Sequence, residues 1–332
     1  MYLKFFGLSA KPFNLTPDPR FLHLTPGHRE ALAQLIYGVQ ERKGFILLVG
    51  EVGTGKTTLL RSLLKRLSGD TAVAYVMNST LRFDEMVEYI LADFGVPGTG
   101  RGRAQRLIAL NRFLIERRRN GLNSVLIIDE AQNLDSRTLE QIRLLSNFET
   151  HSDKLLQIIL AGQPELRTKL QQPELRQLRQ RIALRCSVGA MQHDEVGQYI
   201  HSHLRVAGAG DRHIFTPAAI ARIADYTRGV PRVVNMVSDH ALLMAYGNQV
   251  KRVDRDIVER AITYLHEGEL EPDVLSRLKH WASARLTRYA VGAVAASAVV
   301  AGVVAVLQSN GVNDLPSAVL GPLSNLARWW GR

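Results

Sequence analysis

Residues Gly50 to Thr58 read GEVGTGKTT, directly after the apolar run Phe45-Ile46-Leu47-Leu48-Val49. The segment matches G-x-x-x-x-G-K-[ST] in full, through Gly50, Gly55, Lys56 and Thr57. Few stretches constrain a fold so tightly. A buried strand must run into a glycine-rich turn and then into a helix. Gly53 and Gly55 let the backbone curl, so that the N–H groups around Thr54 point into one concavity and cradle phosphate oxygens. Lys56 brings a compact positive charge to the β- and γ-phosphates, and the Thr57 hydroxyl is a ligand for Mg²⁺. Thr58 lies in the first turn of the expected helix, which continues through Leu59, Leu60, Leu63 and Leu64. The positive end of that helix's dipole faces the same anion. ATP and Mg²⁺ are the expected cofactors.

A second motif completes the first. Val125-Leu126-Ile127-Ile128 is an unbroken apolar run, as a strand buried on both sheet faces requires, and it ends in Asp129-Glu130. A carboxylate at such a tip can hold Mg²⁺ bound to phosphates, a role that falls to Asp129. Glu130, next in line, is placed to take a proton from an attacking water as general base. Taken alone, the pair also reads as an acidic strand end capping a helix.

The chain of 332 residues is long enough for two globular units. Apolar runs at 72–76, 156–161 and 181–188 supply further strands, and helical patterns fall at 86–91, 107–115 and 139–145. Alternating strands and helices predict an α/β fold with a parallel sheet covered on both faces. From Asp194 the pattern is all helical. Thr216-Pro217 reads as an N-cap with proline at the first helical position, and Asp254 as the N-cap of a last helix. The expected organisation is an N-terminal segment over 1–40, a nucleotide domain over 41–190, a helical lid over 191–268, a linker over 269–288, a membrane helix over 289–307 and a tail over 308–332.

The membrane helix rests on Tyr289 to Leu307, which carries no charged residue. Some 18–20 apolar residues suffice to cross a bilayer. Arg285 and Arg288 flank one side only, which puts the ATPase domain in the cytoplasm and the tail outside. Ala298 and Gly302 at four-spacing would let two such helices approach. The alternative is a buried Ala/Val-rich helix. In the tail, leucines with Trp329-Trp330 suggest an amphipathic segment at the interface. The N-terminus has no signal-peptide pattern, and the single cysteine, Cys186, excludes a disulfide framework within one chain. A net charge of +11 favours an anionic partner, either nucleic acid or the inner leaflet. The densest basic cluster, Arg117-Arg118-Arg119, reads as a solvated helix end.

Further candidates lie around the two motifs. Gln163 follows the strand ending Leu160-Ala161-Gly162, where it would contact the γ-phosphate or the water, or simply make a turn. Arg181 precedes a strand, where it could reach a neighbouring subunit's γ-phosphate; Arg176 and Arg179 are its rivals. Arg232, in Gly229-Val230-Pro231-Arg232, opens a helix of the lid and would fold onto the nucleotide. Asn78 could restrain Glu130 or sit in a turn.

Together GEVGTGKTT, LIIDEAQ, the polar strand tip, the arginine before the fifth strand and GVPR resemble an AAA+ ATPase. The opening MYLKFFGL, then Pro12-Phe13 and LTPDPRFLHLTPGHREALAQLIYGV, with LAGQPELR and RGVPRVVNMVSDHALLMAY, is similar to the ExeA/GspA group of secretion ATPases. The likeness covers residues 1 to about 268, plus the span. It implies an inner-membrane ATPase, a homo-oligomer, that helps assemble the secretin of type II secretion beside a GspB/ExeB-like partner reaching the periplasm. Well-known members carry a long peptidoglycan-binding domain after the span, for which 308–332 is too short. ATPases of type IV pilus and exopolysaccharide loci and TniB-type transposition ATPases share the core. The competing readings are therefore a DNA-associated ATPase and a nucleotide switch with little turnover.

Overall fold

The computed structural model describes residues 2–266 apart from 15, 17, 68, 78–80, 98–101 and 151–152. The segments expected to form the linker, the membrane helix and the tail, and Asn78, lie outside the described residues. Helices α1 (Tyr2–Phe6) and α2 (Pro26–Gln40) come first. There follow β1 (Phe45–Gly50), α3 (Lys56–Arg66), β2 (Ala72–Val76), α4 (Phe83–Asp93), α5 (Arg103–Arg119) and β3 (Ser124–Ile128). Next are α6 (Ser136–Leu145), β4 (Gln157–Gly162), α7 (Pro164–Lys169), α8 (Arg176–Arg181) and β5 (Ile182–Val188). Helices α9 (His193–Val206), α10 (Pro217–Thr227) and α11 (Pro231–Gly247), then α12 over 255–266, complete the series.

The five strands form one parallel sheet in the order β2-β3-β4-β1-β5. Side chains alternate between its faces. Phe45, Leu47 and Val49 of β1 join Leu126, Ile128, Ile158 and Leu160 in the core beneath α4, α5 and α6. Ile46 and Leu48 join Val125, Ile127, Ile159 and Ala161 beneath α2 and α3. This double burial is why β1, β3 and β4 read as unbroken apolar runs. Cys186 is buried in the second core. The register pairs Val49 with Gly162 and Ile128 with Leu160, so the carboxyl ends of β1, β3 and β4 finish side by side. In open parallel sheets that edge is where ligands bind.

Two local expectations are corrected. Arg181 is the last residue of α8 and not the first of the strand: the buried Leu175 and Leu178 set a helical spacing that ends only at Ile182. Nor is the Arg117–Arg119 cluster a free solvated end. Arg118 pairs with Asp153 at 2.6 Å, and Arg117 donates to the carbonyls of Asn123 and Asp70, so this end of α5 ties down the turns before β2 and β3. The expected caps are present. Thr216 accepts from Ala219 N at 3.1 Å and Asp254 from Ile257 N at 3.0 Å. Among the described residues no helix is long and apolar enough to cross a membrane.

Candidate nucleotide site

The loop after β1 is shaped by its glycines. Gly55 stands at the head of α3 with φ of 96°, a left-handed conformation that only glycine adopts freely. It offers no side chain to cap α3, so the helix's first amides remain donors for an anion. Lys56 is 6% exposed, and its Nζ donates to the carbonyls of Gly50 at 2.8 Å and Glu51 at 3.0 Å. Burial holds its ammonium below the ordinary lysine pKa, opposed by the carboxylates of Glu130, Asp129, Glu51 and Glu165. Thr54 is fully buried and does not line the cavity described below: its hydroxyl and its amide both turn to the Glu51 carbonyl, at 2.8 and 3.3 Å.

The acidic pair lies across from this loop. Asp129 is 4% exposed, and its Oδ2 accepts from the Thr57 hydroxyl and from the Tyr75 hydroxyl, each at 3.0 Å. Its Oδ1 accepts from the Glu130 amide at 2.9 Å. The Thr57 hydroxyl and the Asp129 carboxylate are hard oxygen donors side by side, a set that fits Mg²⁺. Glu130 itself is left-handed at φ 53° and ψ 36°, which costs a non-glycine residue about 1 kcal/mol or more. Its Oε2 accepts from Gln132 Nε2 at 2.6 Å and from Gln163 Nε2 at 3.3 Å. Gln132 in turn accepts from the Gln163 amide at 3.1 Å, so a small amide network holds the Glu130 carboxylate.

Sequence reasoning singled out neither Tyr75 nor Gln132. Tyr75 is a hydroxyl on an otherwise apolar strand, and that oddity was its signal. Burial and then the Asp129 carboxylate raise its pKa, so it acts as a neutral donor. Gln132 lies within the LIIDEAQ stretch, but its direction depends on the turn after Glu130.

A cavity of about 620 Å³ runs past the loop, lined by Gly53, Gly55, Lys56, Thr57, Thr58, Glu130 and Gln163 from the sheet side and by Tyr199 and Arg232 from α9 and α11. Arg232 comes close because Gly53 has no side chain: a Cβ there would lie 2.9 Å from that of Arg232. The Arg232 amide donates to the Gly53 carbonyl at 3.4 Å. Gly50 ends β1 behind this wall. Arg181 is not among the lining residues; it donates to Ser146 Oγ at 2.5 Å. Arg176 is exposed, and Arg179 donates to the Gln171 carbonyl at 3.4 Å.

The N-terminal segment also belongs to this neighbourhood. Residues near Met1 pack on the helical half of the fold: Tyr2 donates to Asp239 at 2.5 Å, Arg212 donates to the carbonyls of Phe6 at 2.7 Å and Gly7 at 2.9 Å, and Phe13 meets Phe215 edge to face. The chain then lines the cavity through Leu24 and Thr25 before entering α2.

Residues 39–170 match the family described as AAA domain. Over 247 residues, 74% of its length, the chain is 44% identical to General secretion pathway protein A of Aeromonas hydrophila. The chain carries an AAA domain. It spans 45% of that relative's length. Solved structures agree with the AAA+ fold. The ORC2 protein of Aeropyrum pernix in ADPNP–ADP complexes superimposes with a TM-score of 0.59 at 19% identity, covering 77% of this chain and 71% of its own. The Drosophila ORC bound to DNA gives 0.58 at 18% identity, covering 78% and 65%. At such identities the likeness concerns the fold alone.

Proposed function

We propose that this chain is an ATPase anchored in the inner membrane, which binds and hydrolyses ATP to support assembly of a type II secretion machine. The observation that carries the reading is the convergence of Lys56, Thr57, Glu130 and Gln163 on one cavity, with Asp129 hydrogen-bonded to Thr57 beside it, in a chain similar over 247 residues to General secretion pathway protein A. Lys56 and the first amides of α3 hold the phosphates. Thr57 and Asp129 would hold Mg²⁺, which when bound neutralises charge on the phosphate oxygens. Glu130 takes the proton of the attacking water, and Gln163 orients that water or the Glu130 carboxylate. Arg232 reports the nucleotide to the lid, and Arg181 acts on the site of a neighbouring copy in a homo-oligomer. The span over 289–307 supplies the anchor, and a GspB/ExeB-like envelope protein and the secretin are the proposed partners.

Catalysis is tested by Glu130→Gln. The variant should bind ATP as the wild type does and lose about 10²-fold or more in turnover, because only the base is removed. Wild-type turnover by Glu130→Gln would refute the assigned base. A net charge of +11 favours a second reading, a DNA-associated ATPase. Release of the full-length chain from membranes at high pH, with salt-sensitive DNA binding, would select it.

A further inference from the structure

The glycines that let the loop after β1 curl also leave it free to change shape. The peptide joining Thr54 to Gly55 has this freedom, since Gly55 has φ of 96° and no Cβ to resist rotation of the plane. In a trans peptide the C=O and N–H point in opposite directions. Whatever holds the Thr54 carbonyl therefore also aims the Gly55 amide. That carbonyl is held from outside the loop: His28 Nε2 lies 2.8 Å from it. The fit is close, since a Cβ at Gly55 would lie 3.1 Å from the same nitrogen.

The imidazole is itself fixed. A carbonyl oxygen only accepts, so Nε2 carries the ring proton and Nδ1 is left as an acceptor. Thr25 Oγ1 lies 2.7 Å from Nδ1 and donates to it. Thr25 is also the N-cap of α2, accepting from the His28 amide at 3.4 Å. Both side chains are buried, His28 at 6% and Thr25 at 6% exposure. Thr25, His28 and Thr54 thus form a relay of hydrogen bonds from the start of α2 to the loop.

We infer that His28, fixed by Thr25, is a positioning residue for nucleotide binding: it locks the Thr54–Gly55 peptide so that its amide faces the phosphates. The inference rests on the proposed nucleotide role of the loop. It assigns to the N-terminal segment a part in shaping a cradle that the G-x-x-x-x-G-K-[ST] motif does not supply alone. A locked peptide acts on the bound ground state and the transition state alike, so the effect belongs in affinity and KM and leaves kcat nearly unchanged.

The test uses the full-length chain in detergent, with His28→Ala, His28→Gln and Thr25→Val beside the wild type and Lys56→Ala. A fluorescent ATP analogue gives the dissociation constant, steady-state kinetics give KM and kcat, and melting without nucleotide gives the fold's own stability. His28→Ala should weaken binding and raise KM roughly tenfold, with kcat within about threefold, as expected for one well-placed hydrogen bond. His28→Gln keeps an N–H at the reach of Nε2 and should recover most of the affinity. Thr25→Val should fall between. Wild-type affinity in His28→Ala would overturn the inference. So would a His28→Gln variant as weak as His28→Ala while melting like the wild type. A loss confined to kcat would also count against it. Absence of ATP binding in the wild type, equal to that of Lys56→Ala, would instead defeat the nucleotide reading and this inference with it.

Discussion

Replacing Lys56 by Met separates what the lysine does for the fold from what it does for a ligand. The ammonium is almost fully buried, donates to two loop carbonyls at 2.8 and 3.0 Å, and is held below its ordinary pKa by loss of water. A lowered lysine pKa means that burial disfavours the charged form, so the folded protein bears that cost at neutral pH. Methionine keeps the apolar stem and removes the charge. The nucleotide-free variant should therefore melt at or above the wild-type temperature. The liganded state should respond in the opposite direction. At a concentration 100 times its Kd, ATP adds about 2.7 kcal/mol to the wild type. For the unit over residues 1–263, with an unfolding entropy of roughly 2.1 cal/mol/K per residue, that is a rise of about 5 °C. Loss of a buried charge–phosphate contact should weaken binding about 10²-fold or more, which leaves less than about 1 °C. Thermal unfolding with and without Mg²⁺–ATP reads both effects. A full nucleotide-induced shift in Lys56→Met, or a fall of many degrees without nucleotide, would refute the reasoning.

Two further expectations follow from groups outside the phosphate loop. Arg181→Ala should bind ATP normally and hydrolyse it at least about tenfold more slowly, and mixing it with Glu130→Gln subunits should restore part of the turnover. No recovery at any ratio, with mixed oligomers verified, would move the role to Arg179 or Arg176. His203 is 4% exposed, and burial lowers its pKa to about 4, so the folded protein takes up fewer protons than the unfolded one between that value and about 6.5. Stability should be intact above pH 6.5 and fall by about 2–3 kcal/mol towards pH 4.5, as measured by denaturant titration. His203→Phe should flatten that profile, and an unchanged slope would show that another group carries it.

The parts of the site that lie within contiguous motifs were legible in the sequence. Apolar runs announce β1, β3 and β4 because both faces of those strands are buried, and the residues at their tips follow by position: Lys56 and Thr57, Asp129 and Glu130, Gln163. What escaped is set by pairing between distant segments. Tyr75 reaches Asp129 across a separation of 54 residues, and only the register of β2 against β3 puts its hydroxyl there. His28 reaches Thr54 across 26 residues, through the packing of α2 beside the loop. The α8–β5 boundary was displaced because Arg181 ends a helix of only 6 residues, whose apolar spacing is a single interval from Leu175 to Leu178. The charge-free stretch over 289–307 falls outside the described residues, so the membrane assignment stands on its sequence alone.

The anchoring of the first residues to the helical half has a consequence for biosynthesis. Tyr2 meets Asp239 across 237 residues, and at about 5–20 residues per second the ribosome needs roughly 12–47 s to make the second after the first. All five strands are complete at Val188, before α9, α10 or α11 exists. During that interval the nascent sheet can close around its own cores while Tyr2, Phe6 and Phe13, all buried in the finished protein, have no surface to pack against. The segment from Tyr2 to Phe13 thus finds its place after the sheet has closed, once the residues it packs on have been made.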